Sequence, residues 1–537
     1  MQRDPLILSR ILERAVDYYP RATVATKTAD GVHRETYEEL GERTARLANA
    51  LRDLRVGPGD RVASFAWNNW RHLELYFAVP CMGSVLHTLN IRLHPDQIAW
   101  IANHAEDRVV CVDASLLPVF ERVLPNLKTV EHVVVMGGPE AETSGVTNAK
   151  DYEELLEAAS AAFSWPDLDE EDACGMAYTS GTTGNPKGVV YSHRSMVLHA
   201  TMVNQAGAIG ITDHDAVLPV VPMFHANAWG MPYAATMAGA RQVFAGQFSA
   251  DPASLAELIE TERVTVLAGV PTVWIGLLQH LRKEPRDVSS IRCITAGGSA
   301  VPASLIEGFQ QTVGVAMIQG WGMTETGPVA SLSRLTPDLE QLPPEEQLRV
   351  RAKQGMPVPG LRARVVDVAT GQEVPRDGKS MGEIQVSGNW VASAYYHPEE
   401  RVESFTDDGW LRTGDVAVVD EHGFLHIVDR TKDLVKSGGE WISTIELESA
   451  LMGHPAVLEA AVIAIPDERW SERPLACVVL MEGARATQEE LLEHLEPMFP
   501  KWWLPDRVEF VSEIPKTSVG KFDKKVLRAG YWSYPSE

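Results

Sequence analysis

Short β-branched runs, each followed by an amphipathic stretch, recur along most of the chain and constrain it more than any other feature. Arg61–Phe65 (RVASF) predicts a strand and 70–82 a helix. The pattern repeats with a strand at 109–112, a helix at 116–123 and a strand at 133–136, and again with strands at 264–268 and 291–296. Runs of this kind separated by helices build βα units and largely parallel sheets. No fixed-period repeat is present. Near residue 355 the character changes. Segments 362–368 and 382–386 read as neighbouring antiparallel strands, and Asp420-Glu-His-Gly-Phe before 425–428 reads as a hairpin turning at Gly423. After Asp429-Arg-Thr-Lys-Asp433 the chain restarts as a compact α+β unit, with helices at 445–451 and 489–495 and strands at 459–465 and 475–480. The expected class is therefore α/β. A large N-terminal domain of parallel-sheet βα layers covers 1–430, with a small β subdomain from about 355, and a smaller α+β domain covers 431–537.

Charge narrows the partners. Lys plus Arg number 48 and Asp plus Glu 73, a net charge of −25. Nucleic acid and anionic lipid both call for a basic face, so neither is expected. An anionic small substrate stays open, because a few cations in a cleft outweigh the global field locally. Cys81, Cys111, Cys174, Cys293 and Cys477 show no CxxC spacing, and their odd number suits a reducing, cytoplasmic compartment. Charges at Arg10, Glu13, Arg14 and Asp17 exclude a secretory signal, while Leu8, Ile11, Leu12 and Ala15 recur at helical spacing. The uncharged run 216–240 holds Pro219, Pro222 and Pro232, so it reads as strand, loop and buried helix rather than a membrane span.

The most informative stretch is Thr179-Ser-Gly-Thr-Thr-Gly-Asn-Pro-Lys-Gly188. Glycines let backbone N–H groups approach anionic oxygens. The hydroxyls of Thr179, Ser180, Thr182 and Thr183 donate further hydrogen bonds, and Lys187 brings a point charge. That chemistry suits a polyphosphate. The order is not the Walker pattern, since Pro186 precedes the lysine and Gly188 follows it.

This stretch resembles the phosphate loop of the adenylate-forming enzymes: acyl-CoA synthetases, peptide-synthetase adenylation domains and firefly luciferase. The resemblance spans nearly the whole chain, because further motifs follow in the family's order. It implies that Thr179, Ser180, Gly181, Thr182, Thr183, Gly184 and Lys187 bind nucleotide phosphates. Gly297-Gly-Ser-Ala300 would lie against adenine through Gly298 and Ser299. In Gln319-Gly-Trp-Gly-Met-Thr-Glu-Thr-Gly327, which is expected to follow a strand, Gln319, Gly320 and Trp321 would contact the base. Thr324 would contact the α-phosphate, and Glu325 with Thr179 would hold Mg²⁺. Most relatives have Tyr where Trp321 stands, which keeps the stacking face and removes the phenol. Asp415 would accept from the ribose hydroxyls, and Arg430 would be a second nucleotide contact. Lys432 stands at the family's hinge, Lys436, Gly438, Gly439 and Trp441 lie on the loop that serves coenzyme A, and Lys521 is the adenylation lysine of a mobile terminal domain.

The resemblance also implies an acyl wall at Val221-Pro-Met-Phe-His-Ala-Asn-Ala-Trp-Gly230. His225 would lie near the carboxylate. Ala226, Trp229, Gly230, Gly322 and Met323 would line the chain's path, with Trp229 matching a gating tryptophan of long-chain synthetases. The implied activity is ATP-dependent conversion of a carboxylic acid to acyl-AMP and then to its coenzyme A thioester, with Lys187, Glu325, His225 and Lys521 as catalytic groups. The resemblance is closest to the medium- and long-chain branch that includes 3-methylmercaptopropionyl-CoA ligases. The preferred acid is 3-methylmercaptopropionate, with medium- or long-chain fatty acids as the alternative. A luciferase-like oxygenase and a non-catalytic nucleotide binder rank lower, and a homodimer stays open. Ser471 stands where relatives often have Gly, which puts the local turn in question. Nothing like a carrier domain follows Glu537, so an assembly-line role is not expected.

Overall fold

The computed structural model describes residues 2–137, 146–179, 186–368, 370–397, 404–430, 433–437, 440–467, 469–517 and 522–531. Among them four sheets form, of nine, seven, four and five strands. The nine-stranded sheet is centred on Val266–Gly269, Cys293–Ala296 and Met317–Gly322, paired in parallel. In the seven-stranded sheet, Arg61–Phe65 pairs in parallel with both Val85–Thr88 and Asp107–Asp113. These inner strands are buried on both faces, which is why they read as unbroken apolar runs rather than alternating ones. At one edge of the seven-stranded sheet the rule changes. Gly188–Ser192 turns back antiparallel to Ala173–Tyr178, so a short segment hangs from two adjacent strand ends.

Leu361–Val366, Gly382–Gly388, Leu411–Val419 and Leu425–Arg430 form the four-stranded antiparallel sheet. Its last hairpin turns at Gly423, with φ near +87°, where a side chain would be strained. Asp420 Oδ1 accepts the backbone N–H groups of His422 and Phe424 and fixes that turn. The five-stranded sheet begins at Val435–Ser437 and carries the long antiparallel pair Val457–Asp467 and Ser471–Leu480. Its helix Thr444–Leu451 starts where Ser443 caps the N–H of Glu446.

Several boundaries differ from the sequence expectation for local reasons. The helix expected at 116–123 is a 3-10 turn at Ala114–Leu116 followed by a short helix, Leu117–Phe120. Pro118 lacks the N–H that would continue one helix through the junction. The strand expected from 264 begins at Val266, because the Val264 N–H is spent on Ile259 O as the preceding helix exits. The segment expected to follow a strand at Gln319 lies within one, Met317–Gly322. The N-terminal helix Leu8–Tyr18 buries Leu8, Ile11, Leu12 and Ala15, the four spaced positions, and packs on Met231–Ala238. All five cysteines are buried and unpaired. No helix among the described residues is long and apolar enough to cross a membrane.

That N-terminal helix is tied down through a buried imidazole. The first-turn N–H of Leu8 donates to Nδ1 of His193, which has no exposed surface. Burial draws the imidazole from its ordinary value near 6.5 down to about 4. The neutral form is therefore favoured in the fold, and its contribution to stability is complete above pH 6.5. It is lost as pH falls from 6.5 toward 4, at about 1.4 kcal/mol per pH unit. In His193→Asn an amide oxygen can keep the acceptor without titrating. The stability difference between wild type and variant, from denaturant melts at successive pH values, should change with that slope below pH 6.5 and be flat above it.

Candidate active site

The mouth of the phosphate segment is closed by reciprocal contacts. Thr179 N–H donates to Lys187 O at 2.9 Å, and Lys187 N–H donates to Thr179 Oγ1 at 3.2 Å. Ser180, Gly181, Thr182, Thr183 and Gly184 lie outside the described residues, as do Lys432, Gly438, Gly439 and Lys521. Gly188 sits in a tight space, where a side chain would make its neighbours give by a few tenths of an ångström. A Cβ there would sit 3.1 Å from both the Tyr178 ring and Tyr396 Cβ. From the returning strand, the Tyr191 hydroxyl donates to Thr324 O at 2.8 Å, which joins this hairpin to the Thr324–Thr326 turn of the other large sheet.

Glu325 sits on that turn and is 6% exposed. Tyr395, which sequence reasoning missed, donates its hydroxyl to Glu325 Oε1 at 2.5 Å. The Lys187 ammonium lies 4.9 Å from the centre of the same tyrosine ring. Burial pushes the Glu325 carboxyl above its ordinary range, while the Tyr395 hydrogen bond and the charges of Arg430 and Lys187 hold it back. No second side chain among the described residues donates to this carboxylate. A buried carboxylate that accepts from one side chain and stands near a lysine fits a hard cation that takes its remaining ligands from phosphate and water.

A second group gathers at Asp415. The Trp321 indole N–H donates to Asp415 Oδ2 at 2.8 Å, and Arg430 Nε donates to Oδ1 at 3.0 Å. Asp415 and Arg430 are cross-strand partners in the four-stranded sheet, so backbone register sets their pairing. The tryptophan thus supplies a hydrogen bond of its own from a position where the sequence promised only a stacking face. Nearby, the Gln319 side-chain oxygen is buried without a hydrogen-bond partner among the described residues. An orphaned acceptor of this kind fits an amino donor on a bound base.

Gly297 and Gly320 pack backbone to backbone. A Cβ on Gly297 would lie 2.6 Å from Gly320 O and 3.2 Å from the Trp229 indole. Gly298 takes φ near +84°, and Ser299 is exposed beside it. Gly322 admits no side chain, since a Cβ would meet Pro328 O at 1.8 Å. Met323 and Thr324 follow on the same turn. Trp229 enters from a turn that the sequence did not reveal. Ala226, Asn227, Ala228, Trp229 and Gly230 have φ of 45°, 53°, 46°, 59° and 73°, a left-handed run of five. Such backbone costs roughly 1–2 kcal/mol per non-glycine residue and persists only where the surroundings hold it. Here Asn227 is gripped from both sides, by the Tyr76 hydroxyl and by Met196 sulfur, each at 3.5 Å. Gly230 presses on the buried His199, where a Cβ would meet Nδ1 at 2.5 Å. His225 is half-buried at the start of the turn, and its carbonyl accepts the Ala228 N–H. Farther along the chain, Lys436 and Trp441 face each other across a short hairpin, the ammonium 5.4 Å from the indole ring.

Cation, buried carboxylate and orphaned amide oxygen converge where strands of two α/β sheets end, and a separate α+β unit follows. The class that this defines is a nucleotide-using enzyme with a substrate crevice at its strand ends. Comparison with known proteins gives the family. The model described as AMP-binding enzyme matches residues 12–396, and AMP-binding enzyme C-terminal domain matches 446–521. A long-chain-fatty-acid–CoA ligase of Thermus thermophilus is 51% identical over 99% of this chain and 97% of its own. A 3-methylmercaptopropionyl-CoA ligase of Ruegeria pomeroyi is 42% identical over 98% of each chain. The crystal structure of ATP-bound MatB from Rhodopseudomonas palustris superposes with a TM-score of 0.85 at 29% identity, covering 99% of both chains. The chain belongs to the AMP-binding enzyme family. It is an AMP-forming acyl-CoA synthetase, an acid–thiol ligase that uses Mg·ATP and coenzyme A.

The Trp321–Asp415 bond generates a test of the nucleotide site. Trp321→Phe keeps an aromatic face and removes the donor, leaving Asp415 to Arg430 alone. A hydrogen bond to a charged group contributes about 1.5–3 kcal/mol, so ATP affinity is expected to fall roughly tenfold. Titration calorimetry with 2′,3′-dideoxy-ATP should show no such difference between variant and wild type, because that nucleotide lacks the hydroxyls Asp415 would receive.

Proposed function

We propose that the chain activates an unbranched aliphatic carboxylic acid as its acyl-adenylate and passes the acyl group to coenzyme A. The observation that carries this reading is the bridge Lys187–Tyr395–Glu325 beside the closed mouth of the phosphate segment. In the first half-reaction a carboxylate oxygen bonds to the α-phosphorus as the bond to the β-phosphate oxygen breaks, releasing pyrophosphate. Glu325 and Thr179 would hold Mg²⁺, which would supply charge neutralisation to the phosphates. Lys187 and Lys521 stabilise charge on the phosphoryl group, Thr324 binds the α-phosphate, and His225 orients the incoming carboxylate. Gly298, Ser299, Gln319, Gly320 and Trp321 hold the base, and Asp415 and Arg430 hold the ribose. In the second half-reaction the coenzyme A thiol gives its proton to solvent and its sulfur bonds to the acyl carbon, while the bond from that carbon to the AMP phosphate oxygen breaks and AMP leaves. Lys436 and Trp441 serve that step.

The same reading divides the chain near residues 430–432, with the terminal unit swinging about Lys432 so that Lys521 attends only adenylation. It also puts the protein in the cytoplasm, a reading supported by five unpaired cysteines.

For the acid, medium- and long-chain fatty acids have the greater support, since the Thermus long-chain ligase is 51% identical and the Ruegeria ligase 42% over the same span. 3-Methylmercaptopropionate, the first choice from sequence, is kept as a second reading by the Ruegeria ligase, which is 42% identical over 98% of each chain.

A coupled AMP-release screen over acids of increasing chain length decides between them. A methylene in an apolar pocket contributes about 1–3 kcal/mol, so Trp229→Ala should shift the chain-length ranking tenfold or more while ATP affinity holds. An unchanged profile would mark Trp229 as a packing residue. The half-reactions are tested separately. Lys521→Ala should lose about 10²-fold or more in acyl-AMP formation and keep conversion of supplied acyl-AMP to thioester. Equal loss of both steps in single-turnover measurements would remove the case for two orientations.

A further inference from the structure

Among the described residues, Tyr395 touches both charged groups of the proposed adenylation centre. It is 7% exposed, and its ring packs against Phe405 at 5.9 Å between centroids. The segment that carries it is strapped at both ends to the backbone of the groups it contacts. Ala392 N–H donates to Glu325 O at 2.8 Å, and Tyr396 N–H donates to Gly188 O at 2.8 Å. Tyr395 is therefore delivered to a fixed place between Glu325 and the residue after Lys187. Its hydroxyl holds one carboxylate oxygen, Oε1, and its ring face lies under the Lys187 ammonium.

We propose that Tyr395 is a positioning residue for adenylation. Its hydroxyl fixes the Glu325 carboxylate so that Oε2 is presented to the metal, and its ring holds the Lys187 ammonium in place at the Thr179–Lys187 pair. A carboxylate free to rotate about its last bond spends much of its time in orientations that waste a metal ligand. A donor on one oxygen selects the productive one, and loss of such an outer partner typically costs 10–100-fold in metal affinity. A cation above an aromatic face is drawn to the ring and loses reach in other directions. One residue thus sets the spacing between the site's main cation and its metal-binding anion. The proposal rests on the reading of Glu325 as the Mg²⁺ contact.

The test separates hydroxyl from ring and reads binding as well as turnover. A non-hydrolysable ATP analogue is titrated calorimetrically into full-length protein, with Mg²⁺ and with chelator. In Tyr395→Phe the Mg²⁺-dependent gain in affinity should shrink roughly tenfold, while metal-free affinity stays within about twofold. The apparent Mg²⁺ requirement of pyrophosphate release should rise by a similar factor. Tyr395→Leu, which also removes the ring, should add a severalfold fall in the adenylation rate at saturating Mg²⁺. Glu325→Ala is run alongside. If Glu325→Ala loses the Mg²⁺-dependent gain and Tyr395→Phe keeps it, the hydroxyl has no positioning role and the proposal is overturned alone. If Glu325→Ala keeps the gain, the metal reading of Glu325 fails and takes the proposal with it. Equal adenylation rates in the Phe and Leu variants would overturn the ring's part.

Discussion

The antiparallel return of Gly188–Ser192 along Ala173–Tyr178 is the constraint on which the rest of the active region depends. In an all-parallel sheet the next strand would follow a helical crossover, and a loop this short could not connect neighbours. Reversing the last strand lets a short segment hang at the sheet edge with both ends fixed. The Thr179–Lys187 pair closes the mouth, and the ladder behind it holds the register. The other parts are then hung from this hairpin. Tyr191 reaches Thr324 in the turn that follows Met317–Gly322 of the nine-stranded sheet, and Gly188 O accepts Tyr396 N–H from the segment after Gly382–Gly388. Three sheets meet there through backbone acceptors, which move little, so the side chains between them inherit defined positions.

Stability is given up around this meeting point. Glu325 is a buried carboxyl whose charge is opposed by desolvation. Gln319 carries a buried acceptor with no partner among the described residues. The Ala226–Gly230 turn holds four non-glycine residues at positive φ. Each feature is costly in a folded protein at rest and makes sense where a ligand completes the arrangement. Gln319 and Glu325 share the segment that runs from Met317 to Thr326, and the Ala226–Gly230 turn approaches it where Trp229 meets Gly297.

Much of this could be read from the sequence because the signals were local. The strands of the two large sheets are buried on both faces, so their β-branched runs stood out, and Leu8, Ile11, Leu12 and Ala15 gave the first helix by spacing alone. The phosphate segment was legible because hydroxyls, glycines and a lysine were ordered within ten residues. Tyr395 carried no such signal. It matters through a bond to a residue seventy positions away and a ring contact with Lys187, and Ser393-Ala-Tyr-Tyr-His397 contains nothing that marks the third residue. The left-handed turn was hidden for a related reason. Ala226, Ala228 and Trp229 have no intrinsic leaning to positive φ, and only Asn227 and Gly230 do. Tertiary grips by Tyr76, Met196 and His199 impose the conformation, and those partners are far off in sequence. The split at Pro118 was in principle visible, since proline chemistry is local.

Two departures from the family's usual residues come out differently, and geometry says why. At Trp321 the phenol of relatives is absent, yet the indole N–H points along the strand end toward Asp415 and donates at 2.8 Å. The indole therefore brings a hydrogen bond as well as an aromatic face. At Ser471 there is no such gain. Its φ near +75° is the left-handed conformation that glycine adopts freely and serine does not, a strain on the order of 1 kcal/mol. The turn forms regardless, because Asp467 Oδ1 accepts the N–H groups of both Arg469 and Trp470 and the long ladder behind it pairs Asp467 with Ser471. A carboxylate in the turn and ten residue pairs in the ladder outweigh one unfavourable dihedral. The φ at Ser471 is thus held by its neighbours in the ladder.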